Sequence, residues 1–291
     1  QGKGVRRNVP SLYNVVFVKQ LFLDGRESSL VEQIWSPLLA HNEMANQNRQ
    51  SVMAKIAANE SYAQRFETLY PEGLSERSLG WALSAYQRAL LSGDSDFDRW
   101  YFANGSVSKD PYPPEAALGF ALFKEKGCSS CHQLGDNNGL FSDGGFHNTG
   151  VGYRRQQRGV QLDSVQLAPG VYVVPLVSAE TETFVDNGRL EVTGHSGDRW
   201  RYRTPSLRNV AITFPYMHDG SLPTLESVVA YYAGNGSEDP LQDVRISDMT
   251  ITVDEQQALV AFLRTLTSNQ VDALVSDARS VVIGERGAAG L

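Results

Sequence analysis

Cys128-Ser-Ser-Cys131-His132 constrains this chain more than any other stretch. Two thiols flanking two small residues, with a histidine next, form the attachment signature of a c-type haem. The cysteines would add across the two vinyl groups, and His132 would lie beneath the iron as proximal ligand. A redox Cys-x-x-Cys needs no following histidine and usually sits in a βαβ context, which the flanking sequence lacks. Zinc would need two further soft ligands, and the chain has 2 cysteines in all. Covalent haem occupies both, so no disulfide within the chain is expected.

The 291 residues are enough for two domains or one large one. A hydrophobic content of 41% with 20% charged residues describes a globular rather than a disordered chain. The net charge of −7 argues against nucleic acid, whose phosphates reward a basic face. No apolar run is long enough to span a bilayer. Covalent haem attachment takes place outside the cytoplasm, in a bacterium the periplasm. Without a signal peptide at Gln1, the chain is expected to start after processing or truncation.

The first hundred residues read as helical. Residues 30–39 form a short apolar-rich helix capped by Ser28 or Ser29, with Pro37 near its end. Val52, Met53, Ile56 and Ala57 recur at helical spacing, which predicts one helix from Gln50 to Leu69. A further helix over 76–92 ends where Asp94-Ser-Asp-Phe-Asp-Arg breaks it. Lys109-Asp-Pro-Tyr-Pro-Pro marks the domain boundary, giving domains 1–110 and 111–291. A helix over 115–126 then delivers the haem motif. Strands are expected over 171–177 and 190–193, rich in β-branched residues. Helices return over 225–232 and 254–266, and the tail after Thr267 is expected to be poorly ordered.

Several phrases resemble the bacterial dihaem cytochrome c peroxidase superfamily, which includes the MauG-type protein-oxidising enzymes. They are Arg7-Asn-Val-Pro-Ser-Leu-Tyr-Asn, Phe22-Leu-Asp-Gly-Arg, Pro37-Leu-Leu-Ala-His-Asn-Glu-Met, the haem motif, Thr204-Pro-Ser-Leu-Arg-Asn and Pro215-Tyr-Met-His-Asp-Gly. The resemblance implies a mainly α fold of two cytochrome c-like haem domains, the first incomplete here, with a small β insertion in the second. It implies one haem c on this chain and a second on an upstream segment, since only one Cys-x-x-Cys-His is present. Glu43, with Gln33 and Pro37, matches the family's distal pocket, where a carboxylate moves a proton between the peroxide oxygens. Tyr232, fourteen residues after His218, matches the sixth ligand of the His132 haem. Tyrosine is the ligand of the MauG-type branch and methionine that of the peroxidases; Met217 and Tyr231 are the rivals. A calcium site is implied at Asn8, Thr213 and Pro215, through one side chain and two backbone carbonyls.

Two departures matter. Leu23 stands where the family has an inter-haem tryptophan, and a leucine carries no hole. Lys126 stands where MauG has the tryptophan that reaches its substrate. Trp35, Trp81, Trp100 and Trp200 remain as relays or core residues, and His41, His147, His195 and His218 as further ligands. The function implied is a haem peroxidase that reduces hydrogen peroxide and oxidises a protein, as electron donor or as substrate. A monohaem electron-transfer cytochrome is the alternative.

Overall fold

The computed structural model describes residues 5–102, 111–135, 139–158, 165–168, 171–173, 186–247 and 249–280. The chain is mainly helical. Two short helices open it, α1 (Leu30–Gln33) and α2 (Trp35–Leu39), with Ser29 accepting the Glu32 amide as cap. The single helix expected from Gln50 to Leu69 is two, α3 (Arg49–Ala57) and α4 (Glu60–Leu69). Asn59 divides them because its side chain accepts from the Tyr62 amide and caps α4. Next come α5 (Glu76–Ala89), under a reciprocal Ser75/Ser78 cap, and α6 (Asp96–Tyr101).

α6 lies inside the stretch expected to be a break. Asp94 turns left-handed at φ +53, and Ser95 then caps a new helix through the Asp98 amide. Beyond it lies α7 (Pro114–Glu125), which runs to the haem motif as expected. α8 (Val151–Arg158) was hidden by the glycines around it. Residues 190–193 are helical, α9 (Leu190–Thr193), not a strand. Four β-branched-rich residues carry little propensity, and left-handed glycines at 188 and 194 close them into a turn. The remaining helices are α10 (Leu225–Ala233), α11 (Val253–Arg264) and α12 (Val271–Ser280). The last falls in the tail expected to be poorly ordered.

The strands make two antiparallel pairs. β1 (Phe146–His147) pairs with β4 (Tyr202–Arg203), placing His147 opposite Tyr202. β2 (Val165–Ala168) pairs with β3 (Val171–Val173), which is part of the strand expected over 171–177; residues 174–177 lie outside those described. Two apolar cores follow the helices. Ile34, Trp35, Val52, Phe66 and Leu79 form one. The other surrounds Phe97 of α6, 0% exposed, with the rings of Phe120, Phe123, Phe141 and Phe262. There α7 lies against α11 so closely that a Cβ on Gly119 would collide with the Ala258 carbonyl. That contact fixes the helix from which the haem motif starts.

Candidate haem site

α7 ends at Glu125, and Gly127 turns at φ +82, a conformation that resists any side chain. One 3-10 turn over Cys128–Ser130 follows, closed by the Cys131 amide donating to the Cys128 carbonyl at 3.4 Å, and the His132 amide donates to the same carbonyl at 3.0 Å. Both thiols are free and half-buried. Burial pushes the Cys128 thiol up to about 11, so it stays protonated at neutral pH.

His132 has its Nδ1 2.9 Å from the Phe141 carbonyl oxygen. A carbonyl only accepts, so Nδ1 carries the proton and Nε2 keeps its lone pair. That is the tautomer and the outer hydrogen bond of a metal-ligating histidine. Burial also lowers the His132 pKa, against the pull of the Phe141 carbonyl, and keeps the ring neutral.

The two tyrosines of α10 differ in what holds their hydroxyls. Tyr231 donates to the Thr149 carbonyl at 2.7 Å, under the guanidinium of Arg154. Its oxygen is committed. Tyr232 has no hydrogen-bond partner among the described residues. Burial first, then Tyr231, Cys128 and Cys131, hold its phenol protonated well above the ordinary range. Its hydroxyl therefore lies within electrostatic reach of both attachment thiols. The donor set, two thiols, an imidazole with its Nδ1 on the Phe141 carbonyl and a phenol with no hydrogen-bond partner among the described residues, fits a covalently held haem. Met217 sits in a left-handed turn at φ +70, partly buried.

His147 joins this neighbourhood, although nothing local marked it out. Its Nε2 lies 2.8 Å from Asp143 and its Nδ1 3.0 Å from Asp243. Cys131, Asp143 and His147 offer ligand atoms within 4.8 Å of one another. A thioether at Cys131 would leave only two of them, so the trio is no separate metal centre. His147 is raised to about 9, first by Cys131 and then by Asp143, and thioether formation would remove the larger cause. His218 is buried, stacked on Tyr202 at 3.8 Å and lowered by burial to about 4. His41 and His195 are exposed.

The distal set is only partly drawn together. Pro37 of α2 and the turn that carries Glu43 meet, the Met44 amide donating to the Pro37 carbonyl at 3.2 Å, and Glu43 is exposed. Gln33 lies apart on α1 and accepts from Gln87 of α5 at 3.1 Å. The Oε1 of Gln87 is buried with no hydrogen-bond partner among the described residues. Of the calcium set, Asn8 and Pro215 meet: Asn8 Nδ2 donates to the Pro215 carbonyl at 2.5 Å. Thr213 instead bonds Val210 through its amide and hydroxyl. The carbonyl of Leu23 accepts from the Arg203 amide at 2.7 Å, which ties the segment before α1 to β4. Lys126 is held by Glu255 at 2.8 Å and by the Thr250 carbonyl at 3.0 Å.

The family model described as di-haem cytochrome c peroxidase matches residues 1–106. A methylamine utilization protein MauG from Methylorubrum extorquens is 32% identical over 89% of this chain and 64% of its own length. The cytochrome c peroxidase of Escherichia coli is 29% identical over 81% of this chain and 45% of its own. These matches support the dihaem cytochrome c peroxidase/MauG superfamily for this chain. The chain spans about half to two thirds of the length of these relatives. Among solved structures, a MauG-like protein associated with microbial copper homeostasis matches with a TM-score of 0.70 and 26% identity, over 91% of this chain and 77% of that one. The diheme peroxidase BthA of Burkholderia thailandensis matches at 0.68 and 26%, over 92% and 74%. A dihaem superfamily member carries haem c, and the Cys128–His132 turn is the one attachment motif in this sequence. No helix among the described residues is long and apolar enough to cross a membrane.

Proposed function

We propose that the chain acts as a c-type haem peroxidase, reducing hydrogen peroxide and passing the oxidising equivalents to a protein partner outside the cytoplasm. One observation carries this reading: the uncommitted Tyr232 hydroxyl within reach of Cys128 and Cys131, beside a Tyr231 whose hydroxyl is already used. A thioether-held haem supplies redox-active iron. Cys128 and Cys131 would anchor it, and His132 would bind through Nε2 while Phe141 holds its ring in place. Tyr232 would complete the coordination. A phenolate is a hard anionic donor that favours the higher oxidation states of iron, as a protein-oxidising enzyme needs. Its proton must leave on binding, and the burial that holds it in the free chain would then be offset by the metal charge.

On the peroxide side, Glu43 would move a proton from the inner to the outer oxygen, with Gln33 and Pro37 shaping the pocket. The unpartnered Gln87 oxygen would accept from a donor there. Asn8, Thr213 and Pro215 would hold calcium once the Asn8 amide turns its oxygen toward the ion, the hard donor such a cation requires. The test pairs haem content, measured as pyridine haemochrome, with peroxide turnover. Glu43→Gln should suppress turnover by roughly 10²-fold or more, the scale of a lost general acid–base group, with haem content unchanged. One haem per molecule and a Glu43→Gln variant that behaves like wild type would favour the electron-transfer cytochrome.

A further inference from the structure

The second core links the surface to His132 through packed rings. Trp100 of α6 stacks on Tyr112, with centroids 4.3 Å apart and planes at 7°. Inward, Trp100 meets Phe97 at 5.9 Å, and Phe97 meets Phe141 at 5.3 Å. The Phe141 carbonyl then accepts the His132 Nδ1 proton at 2.9 Å. A second run passes Phe120 at 6.0 Å, Phe262 at 5.3 Å and Phe123 at 5.1 Å, and Phe123 lies 6.5 Å from the His132 ring. Trp100 is 37% exposed at the outer end.

We propose that Trp100, stacked on Tyr112, is where oxidising equivalents from the Cys128–His132 haem reach the protein surface. The proposal rests on the peroxidase function above. Phenylalanine yields an electron far less readily than indole, so the buried rings form a dense medium crossed in one step. Trp100 is the first stop. An electron leaves its indole for the oxidised haem, which is reduced by one equivalent. The indole cation lies over the face of Tyr112, whose ring quadrupole favours it. Asp96, close enough to act on the Tyr112 hydroxyl, adds negative potential. The indole N–H proton passes to water at the exposed edge, and a protein donor at this face returns the electron while water returns the proton, which restores the neutral indole. Lys126 offers no competing exit, because an ammonium locked to Glu255 carries no hole.

Trp81 supplies an internal control. It is more exposed, at 43%, but among the described residues its ring leads to Tyr70 at 6.2 Å and on to Phe66, in the other core. Haem-loaded protein would be treated with hydrogen peroxide without a donor, then digested and mapped by mass spectrometry for oxygen addition, with the haem spectrum followed in parallel. Trp100 should be modified severalfold more than Trp81, and protein lacking haem should show no such preference. In Trp100→Phe the haem should still respond to peroxide while modification of Tyr101 and Tyr112 changes. A haem response with Trp81 and Trp100 modified equally would overturn this proposal alone. No haem response at all would overturn the peroxidase reading, and this one with it.

Discussion

Replacing Arg208 by leucine should destabilise the haem-bearing half by about 3–5 kcal/mol at pH 7, the cost of leaving one buried partner of an ion pair alone. Arg208 is 8% exposed and Asp98 16%, so solvent screens the pair little. The guanidinium donates to both Asp98 oxygens, at 2.7 and 2.6 Å, to the Ser95 hydroxyl at 3.1 Å and to the Gly139 carbonyl. Burial alone would raise the Asp98 pKa, but hydrogen bonds from Arg208 and Ser95 outweigh it and the net shift is downward. A depressed carboxylate stabilises above its unfolded pKa and loses that contribution as pH falls through the folded value. Without Arg208, burial is opposed only by the cap, and the folded pKa should rise above the unfolded one. The buried charge then disappears on mild acidification. Urea unfolding of wild type and variant should therefore show the widest gap at pH 7, narrowing as pH falls through the carboxylate range near about 4. Asp98→Leu/Arg208→Leu should recover part of the loss, because no lone charge remains. A loss under about 1 kcal/mol, the scale of an exposed pair, or a gap independent of pH, would mean that Arg208 and Asp98 do not form a buried ion pair.

Two other perturbations test the frame around the site. Gly119→Ala should cost about 1–3 kcal/mol by forcing α7 from α11, and a melting curve that superimposes on wild type would contradict the close approach. Calcium removal should lower thermal stability, by about 2.7 kcal/mol if the ion was at a hundredfold its dissociation constant; metal analysis finding no calcium in exchanged protein would count against Asn8, Thr213 and Pro215.

The haem turn was legible because its chemistry is local: five consecutive residues, preceded by a helix whose apolar spacing is plain. Caps were legible for the same reason, with Ser29 where a cap was expected. The split of residues 50–69 had a local signal too, Asn59 before Glu60, which the apolar spacing on either side outweighed. Other features depend on contacts distant in sequence. Residues 190–193 turn helical between two glycines, with Glu191 held by Arg6 and Arg7 from the start of the chain. His147 gains its role from Asp243, 96 residues away. What separates Tyr231 from Tyr232 is the Thr149 carbonyl, which no spacing rule locates. The acidic residues of α6 mark a helix start as readily as a stop, and Phe97 decides only once the second core exists.

We propose that Tyr232 and His132 bind one haem iron. EPR and optical spectra of the ferric protein test it most directly, recorded for wild type and for Tyr232→Phe, Tyr231→Phe and Met217→Leu. Tyr232→Phe alone should open a coordination position and change both spectra, with haem content unaltered. Unchanged spectra in Tyr232→Phe together with altered spectra in Met217→Leu would contradict it and move the ligand to the thioether.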